Sequence, residues 1–133
     1  MLRSLLLLPL VGLLACGDHD GACTTIAISS ATVHVVGADG TTPQAAEVTA
    51  TDADGNPVQV ECSGSADTAG ECTDWIVGWE VAGVITIHAE TYNGCNYGSG
   101  DATVDVPMDD AGCHVVPQET TLTLGTWTDL SCE

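Results

Sequence analysis

What most constrains this chain is its punctuation. Beyond residue 23, Asp-Gly occurs at 39 and 54, Ala-Gly at 69, 82 and 111, and Asn-Gly at 93, and the runs between them are rich in Val, Ile and Thr. Glycine takes up the positive φ that tight turns demand, and Asp and Asn side chains bond back to their own backbone, so such dipeptides reverse the chain. The β-branched residues between them favour extended structure. Strands are expected over 24–36, 45–51, 58–63, 74–79, 84–91, 102–107 and 115–124. In VITIHAET, Ile85, Ile87 and Ala89 alternate with Thr86, His88 and Glu90, and in ATVDVP, Val104 and Val106 alternate with Thr103 and Asp105. That period of two describes strands with one buried and one wet face. After the first fifteen residues, no stretch longer than about ten residues carries an apolar stripe at helical spacing. The expectation is an all-β domain of about seven strands, folded as a two-sheet sandwich.

The amino-terminal segment is of another kind. Arg3 precedes an apolar run from Leu5 to Leu14, which ends on Ala15 and Cys16. A membrane-spanning helix needs about 20 apolar residues, so this run reads as an export signal and not as a span. Leu13-Leu14-Ala15-Cys16 resembles the bacterial lipobox, which implies cleavage before Cys16 and lipidation of its sulfur and amine. The competing reading is an ordinary signal cut near Ala15, with Cys16 an incidental thiol. Residues 1–15 are thus expected to be a lipoprotein signal peptide, 16–22 a lipidated tether, and 23–133 the sandwich; taking 15 from 133 leaves 118 residues, the size of one domain.

Charge narrows the partners. The sequence has 19 acids against a single basic residue, for a net charge of −18. That residue is Arg3, so a chain without its signal has no Lys or Arg, and histidine is its one possible cation. Such a surface repels nucleic acid and anionic lipid. It suits a cationic protein or divalent cations, and it is best tolerated where salt screens the self-repulsion.

The run VHVVGADGTTPQAAEVTATDADGNP has a Val-rich strand, an Asp-Gly turn, a Pro, small residues and a Val-rich return. It resembles the first hairpin of carboxypeptidase regulatory-like domains. GWEVAGVITIHAETYNGCNYGSGDATVDVPMDDAGCHVVPQETTLTL is similar to the later half of that module, with a Gly-x-Ile-Thr-Ile strand, a glycine-rich turn, and a last strand after Cys-His-Val. The resemblance covers roughly residues 32–124. It implies a prealbumin-like or Ig-like sandwich of the kind that stands beside a catalytic domain in the enzymes and occurs on bacterial surface lipoproteins.

With Cys16 lipidated, six cysteines remain, an even number that permits full oxidation after export and 15 connectivities. Cys62 and Cys72 flank the polar loop SGSADTAGE and can close locally. In a sandwich whose first and last strands run side by side in parallel, Cys23 and Cys113 both precede strands at one end. The last strand then returns Cys132 towards Cys95. The expected bridges are Cys62 with Cys72, Cys23 with Cys113, and Cys95 with Cys132. Together they would staple the sandwich.

Motifs for chemistry are weak. None of His19, His34, His88 or His114 opens an H-x-x-E or H-E-x-x-H, and there is neither a C-x-x-C pair nor a G-x-S-x-G elbow. No metal site, catalytic residue or cofactor is therefore expected. His34 and His88 should face solvent, where they could share a surface metal if their strands are neighbours, and His114 should pack on a disulfide. DADGNP, from Asp52 to Pro57, places Gly55 fourth where a calcium loop needs it sixth, so a hairpin turn is the better reading. Asp109 and Asp110 remain a weak calcium candidate. Trp75, Trp79 and Trp127 could form a sugar platform, but in a chain with no Phe and two Tyr at least two of them are expected in the core.

The function expected is that of a noncatalytic surface lipoprotein whose sandwich is an interaction or structural module. The alternative is a calcium- or carbohydrate-binding surface protein. A monomer is expected, exported and held by its lipid in the bacterial cell envelope, at the outer membrane or cell surface.

Overall fold

The computed structural model describes residues 23–63, 71–94, 96–125 and 128–129. The strands are β1 Ser29–Val36, β2 Glu47–Thr51, β3 Pro57–Val58, β4 Val60–Cys62, β5 Asp74–Trp79, β6 Gly83–Asn93, β7 Asn96–Val106, β8 Gln118–Thr123 and β9 Thr128–Asp129. One sheet has the order β4-β5-β1-β8 and the other β3-β2-β6-β7-β9. Their inner faces share one core, with Val33, Val35, Val77 and Leu122 from the first and Ile85, Ile87 and Val106 from the second, all essentially inaccessible. Each such aliphatic side chain contributes about 1.5–3 kcal/mol relative to exposure. The chain is thus an all-β, two-sheet sandwich.

The alternation read from the sequence governs both sheets. On β2, Val48 and Ala50 point inward between exposed Glu47, Thr49 and Thr51. On β6, Ile85, Ile87 and Ala89 are fully buried while Val84 and Thr86 are exposed. The segment expected to be a single strand over 58–63 divides at Gln59. β3 pairs with β2 through Ala50 and Val58, whereas β4 pairs with β5 through Val60 and Val77. The chain crosses between sheets there, and β9 adds a short strand beside β7. Counting β3 and β4 as one crossing run, the described residues form eight strands where about seven were expected.

Three boundaries differ from expectation for identifiable reasons. β1 begins at Ser29 and not at 24, because Ile28 bonds to Glu80 through both its N–H and its carbonyl, outside the ladder. β8 begins at Gln118 because Pro117 has no N–H to give a ladder, and Val115 bridges Met108 instead. The glycine-rich stretch read as a turn after Asn93 is the first half of β7, which pairs with β6 from Asn96 onward. Gly100 serves close approach there, since a Cβ would collide with the Thr123 carbonyl oxygen of β8.

β1 and β8 run parallel in register from Ala31 beside Gln118 to Val36 beside Thr123. Their starts therefore share one end of the sandwich, and there Cys23 is joined to Cys113 with Cα atoms 5.2 Å apart. Cys62 is joined to Cys72 with Cα atoms 5.9 Å apart, closing the loop between β4 and β5. These are two of the three pairings the sequence leads one to expect. Cys16 and the pairing of Cys95 with Cys132 lie outside the described residues.

Candidate functional site

Side chains with chemical potential gather where the chain enters the sandwich. Glu80 follows β5 in the left-handed region at φ 56°, the one described non-glycine residue with positive φ. Such a backbone is held only where its surroundings over-determine it. Here they do: the Glu80 carboxylate accepts the N–H of Ile28 at 2.8 Å and of Val115 at 3.1 Å, and the Glu80 N–H donates to the Ile28 carbonyl at 2.9 Å. The third partner is His114, whose Nδ1 lies 2.7 Å from Glu80 Oε1. Because a carboxylate can only accept, Nδ1 carries the proton, and on the other side of the ring Nε2 meets the Thr24 hydroxyl across 2.9 Å. The imidazole, more than any other partner, holds the Glu80 carboxyl below its ordinary range, with the two backbone N–H groups adding to the effect against partial desolvation.

Glu80, His114, Thr24 and Cys113 line a shallow cleft of about 270 Å³ together with Ile26 and Met108. The series hydroxyl, imidazole, carboxylate is the order that activates a nucleophile in hydrolases. The series also works as a brace: it ties the two segments that the Cys23–Cys113 bridge joins, at Thr24 and His114, to Glu80 between β5 and β6. His114 was expected to pack on a disulfide; it lies next to Cys113 but is oriented by Glu80. Neither Thr24 nor Glu80 stood out in the sequence, and the only trace of Glu80 is an acid isolated between apolar runs in GWEVAG.

His34 and His88 do not share a site. His34 is on β1 and His88 on β6, in different sheets, so the metal site considered for them is ruled out by topology. Each instead pairs with the acid directly across its own sheet. His34 Nδ1 donates to Asp74 at 2.5 Å, and His88 Nδ1 donates to Asp101 at 2.8 Å. In a sandwich without Lys or Arg, every described histidine is matched to a carboxylate. The Thr73 hydroxyl and then His34 hold the Asp74 carboxyl below its usual range.

The acidic loops are turns. Asp52 accepts the N–H of Asp54 at 2.9 Å and of Asn56 at 2.8 Å, and Gly55 takes a φ of 84°. DADGNP is therefore the β2–β3 hairpin turn, as expected. Asp109 accepts the Cys113 N–H at 2.8 Å and so faces its own loop, without converging on Asp110. Among the described residues, no group of three or more His, Cys, Asp or Glu is placed to hold a metal. Trp75 lies in the core, but Trp79 is 38% exposed and donates its Nε1–H to Glu61 at 3.3 Å. Gly78, at φ 71°, breaks the alternation between them and turns Trp79 outward, so these two form no common platform. Trp127 lies outside the described residues.

Compared with known proteins, the chain matches no family model, no curated sequence and no solved structure.

Proposed function

We propose that this chain is a noncatalytic, exported lipoprotein of the bacterial cell envelope, anchored through Cys16, whose sandwich works as an interaction module. The observation that carries the reading is the employment of its reactive side chains. His34, His88 and His114 are each committed to a carboxylate across the fold, and the Glu80 cluster fastens the segment leading back to the anchor. What remains available is an acidic outer surface on a bridged frame. The resemblance to carboxypeptidase regulatory-like domains supports the same role, because a two-sheet sandwich is what that resemblance implies.

Metabolic labelling with an alkyne-bearing fatty acid tests the anchor. The wild type should take up label and fractionate with membranes, and Cys16→Ser should do neither; membrane association that survives Cys16→Ser without label overturns the lipoprotein reading. The order Thr24, His114, Glu80 favours one second reading, an acyl-transfer hydrolase with Thr24 as nucleophile. Ester or peptide hydrolysis by the purified protein that disappears in a folded Thr24→Ala variant would establish it.

A further inference from the structure

The end of the sandwich farthest from the Cys23–Cys113 bridge carries a pair of aromatic rings, Tyr92 exposed and Tyr97 half-buried, that is not part of the core. Tyr92, 63% exposed, stands directly across the β6–β7 ladder from Tyr97, with ring centroids 5.0 Å apart and planes inclined at 44°. Glu90 lies two residues back on β6 and so shares their face. The Tyr97 hydroxyl donates to Glu90 at 3.4 Å. Across the next ladder, Glu90 faces Glu47 of β2.

Two carboxylates directly opposite each other on a sheet repel, and this placement weakens the fold. The His88 ring stands 3.8 Å from Glu90 but is already bonded to Asp101. A cation from outside would relieve the repulsion. Tyrosine faces attract the same group, because a Lys or Arg cation gains energy within about 6 Å of a ring centroid. Glu90 and Glu47 both push the Tyr92 phenol upward, after desolvation as the larger cause, so rings and carboxylates act on one region of space.

We propose that this face, Tyr92 and Tyr97 with Glu90 and Glu47, docks a lysine- or arginine-bearing segment of a protein partner. Position agrees with chemistry. β6 starts at Gly83, three residues from Glu80 at the anchored end, and ends at Asn93. Nine steps at about 3.3 Å per residue place Tyr92, with Tyr97 beside it, roughly 30 Å along the strand from that end. This part of the inference rests on the anchor proposed above: with Cys16 in lipid, the face points away from the bilayer. A second copy of the chain is disfavoured as occupant by its own net charge of −18.

The test uses the full protein in a neutral detergent, titrated with a hexalysine amide and followed by backbone amide chemical shifts. Shifts should concentrate on residues 47, 90, 92 and 97. Tyr92→Ala should weaken binding about tenfold and Glu90→Gln several-fold, whereas Glu119→Gln, removing an exposed acid of the other sheet, should weaken it less than twofold. Tyr92 is largely exposed, so its removal leaves the core intact, and an unchanged melting midpoint verifies this. Equal weakening by Glu119→Gln, or shifts spread over all acids, means bulk charge attraction and overturns the site. Binding of a neutral chito-oligosaccharide at the tyrosines in the absence of hexalysine binding overturns the choice of partner. Loss of labelling at Cys16 with hexalysine binding intact removes the anchor and leaves the docking face standing.

Discussion

The two described bridges close loops of very different length, so their removal should have unequal consequences. Cys23 and Cys113 are separated by 90 residues, Cys62 and Cys72 by 10. If a cross-link acts by restricting the unfolded chain, the long bridge contributes about 4.6 kcal/mol and the short one about 2.7 kcal/mol at 25 °C. The loops are nested, but the short bridge shortens the long loop by only about a tenth, a change of about 0.1 kcal/mol, so the two effects should add. Packing narrows the gap. Cys72 is 2% exposed within the core, and replacing it by Ala removes a buried sulfur at a cost of about 1 kcal/mol. Loss of the long bridge should therefore exceed loss of the short one by about 1 kcal/mol, or roughly 4 °C in melting midpoint for a domain of this size. Thermal melts of the double variants Cys23→Ala/Cys113→Ala and Cys62→Ala/Cys72→Ala, in nonreducing buffer, measure this directly. A short-bridge variant that melts lower than the long-bridge variant would refute the loop-entropy account for this fold.

Three further outcomes are expected. Gly100→Ala should destabilise by roughly 1–3 kcal/mol, since the new Cβ drives β7 from the Thr123 carbonyl and from Leu122; denaturant unfolding reads the loss. Glu80→Gln should flatten the acid limb of the stability curve. The Glu80 carboxyl is held below its ordinary value of 4.5, so its contribution is present above that pH and vanishes as pH falls through the lowered folded value, whereas the amide has no such dependence. An unaltered acid limb in melts from pH 6 downward would count against the assigned brace. Calcium should move the melting midpoint no further than sodium chloride of matched ionic strength, because Asp52 and Asp109 are committed to turns; a shift that saturates with calcium concentration would revive the cation-binding alternative.

What could be read from the residues in advance was whatever depends on neighbours in the chain. β5 falls on 74–79 as expected, because Trp75 and Val77 alternate with Asp74 and Ile76, and the Asp52 turn forms from contacts within five residues. The bridge between Cys23 and Cys113 was accessible because both cysteines precede strands that lie parallel. Other features turn on distant partners. Gly100 suggests a turn until β8 arrives beside it, and only then does a missing Cβ make sense inside a strand. Trp79 shares its parity with core residue Trp75, and only the backbone twist at Gly78 sends it outward. The Glu80 brace unites residues 24, 28, 80, 114 and 115, a set no local pattern can announce. The tyrosine pair needs the register of β6 on β7, which sets Tyr92 beside Tyr97 across a turn of uncertain length in the sequence.

The long bridge also determines how the domain bears load. A pull applied at Cys23 divides there between the peptide leading into β1 and the sulfur link to Cys113, which leads into β8. Because those strands are parallel and adjacent, both are drawn from the same end along their own length. Hydrogen bonds stressed in this way resist in shear as a group, whereas a strand drawn sideways loses them one after another. β1 is flanked on its other edge by antiparallel β5, whose ladder takes the shear. A load entering at Cys23 is thus taken up by two neighbouring strands at once, and the sandwich resists it along the length of its first sheet.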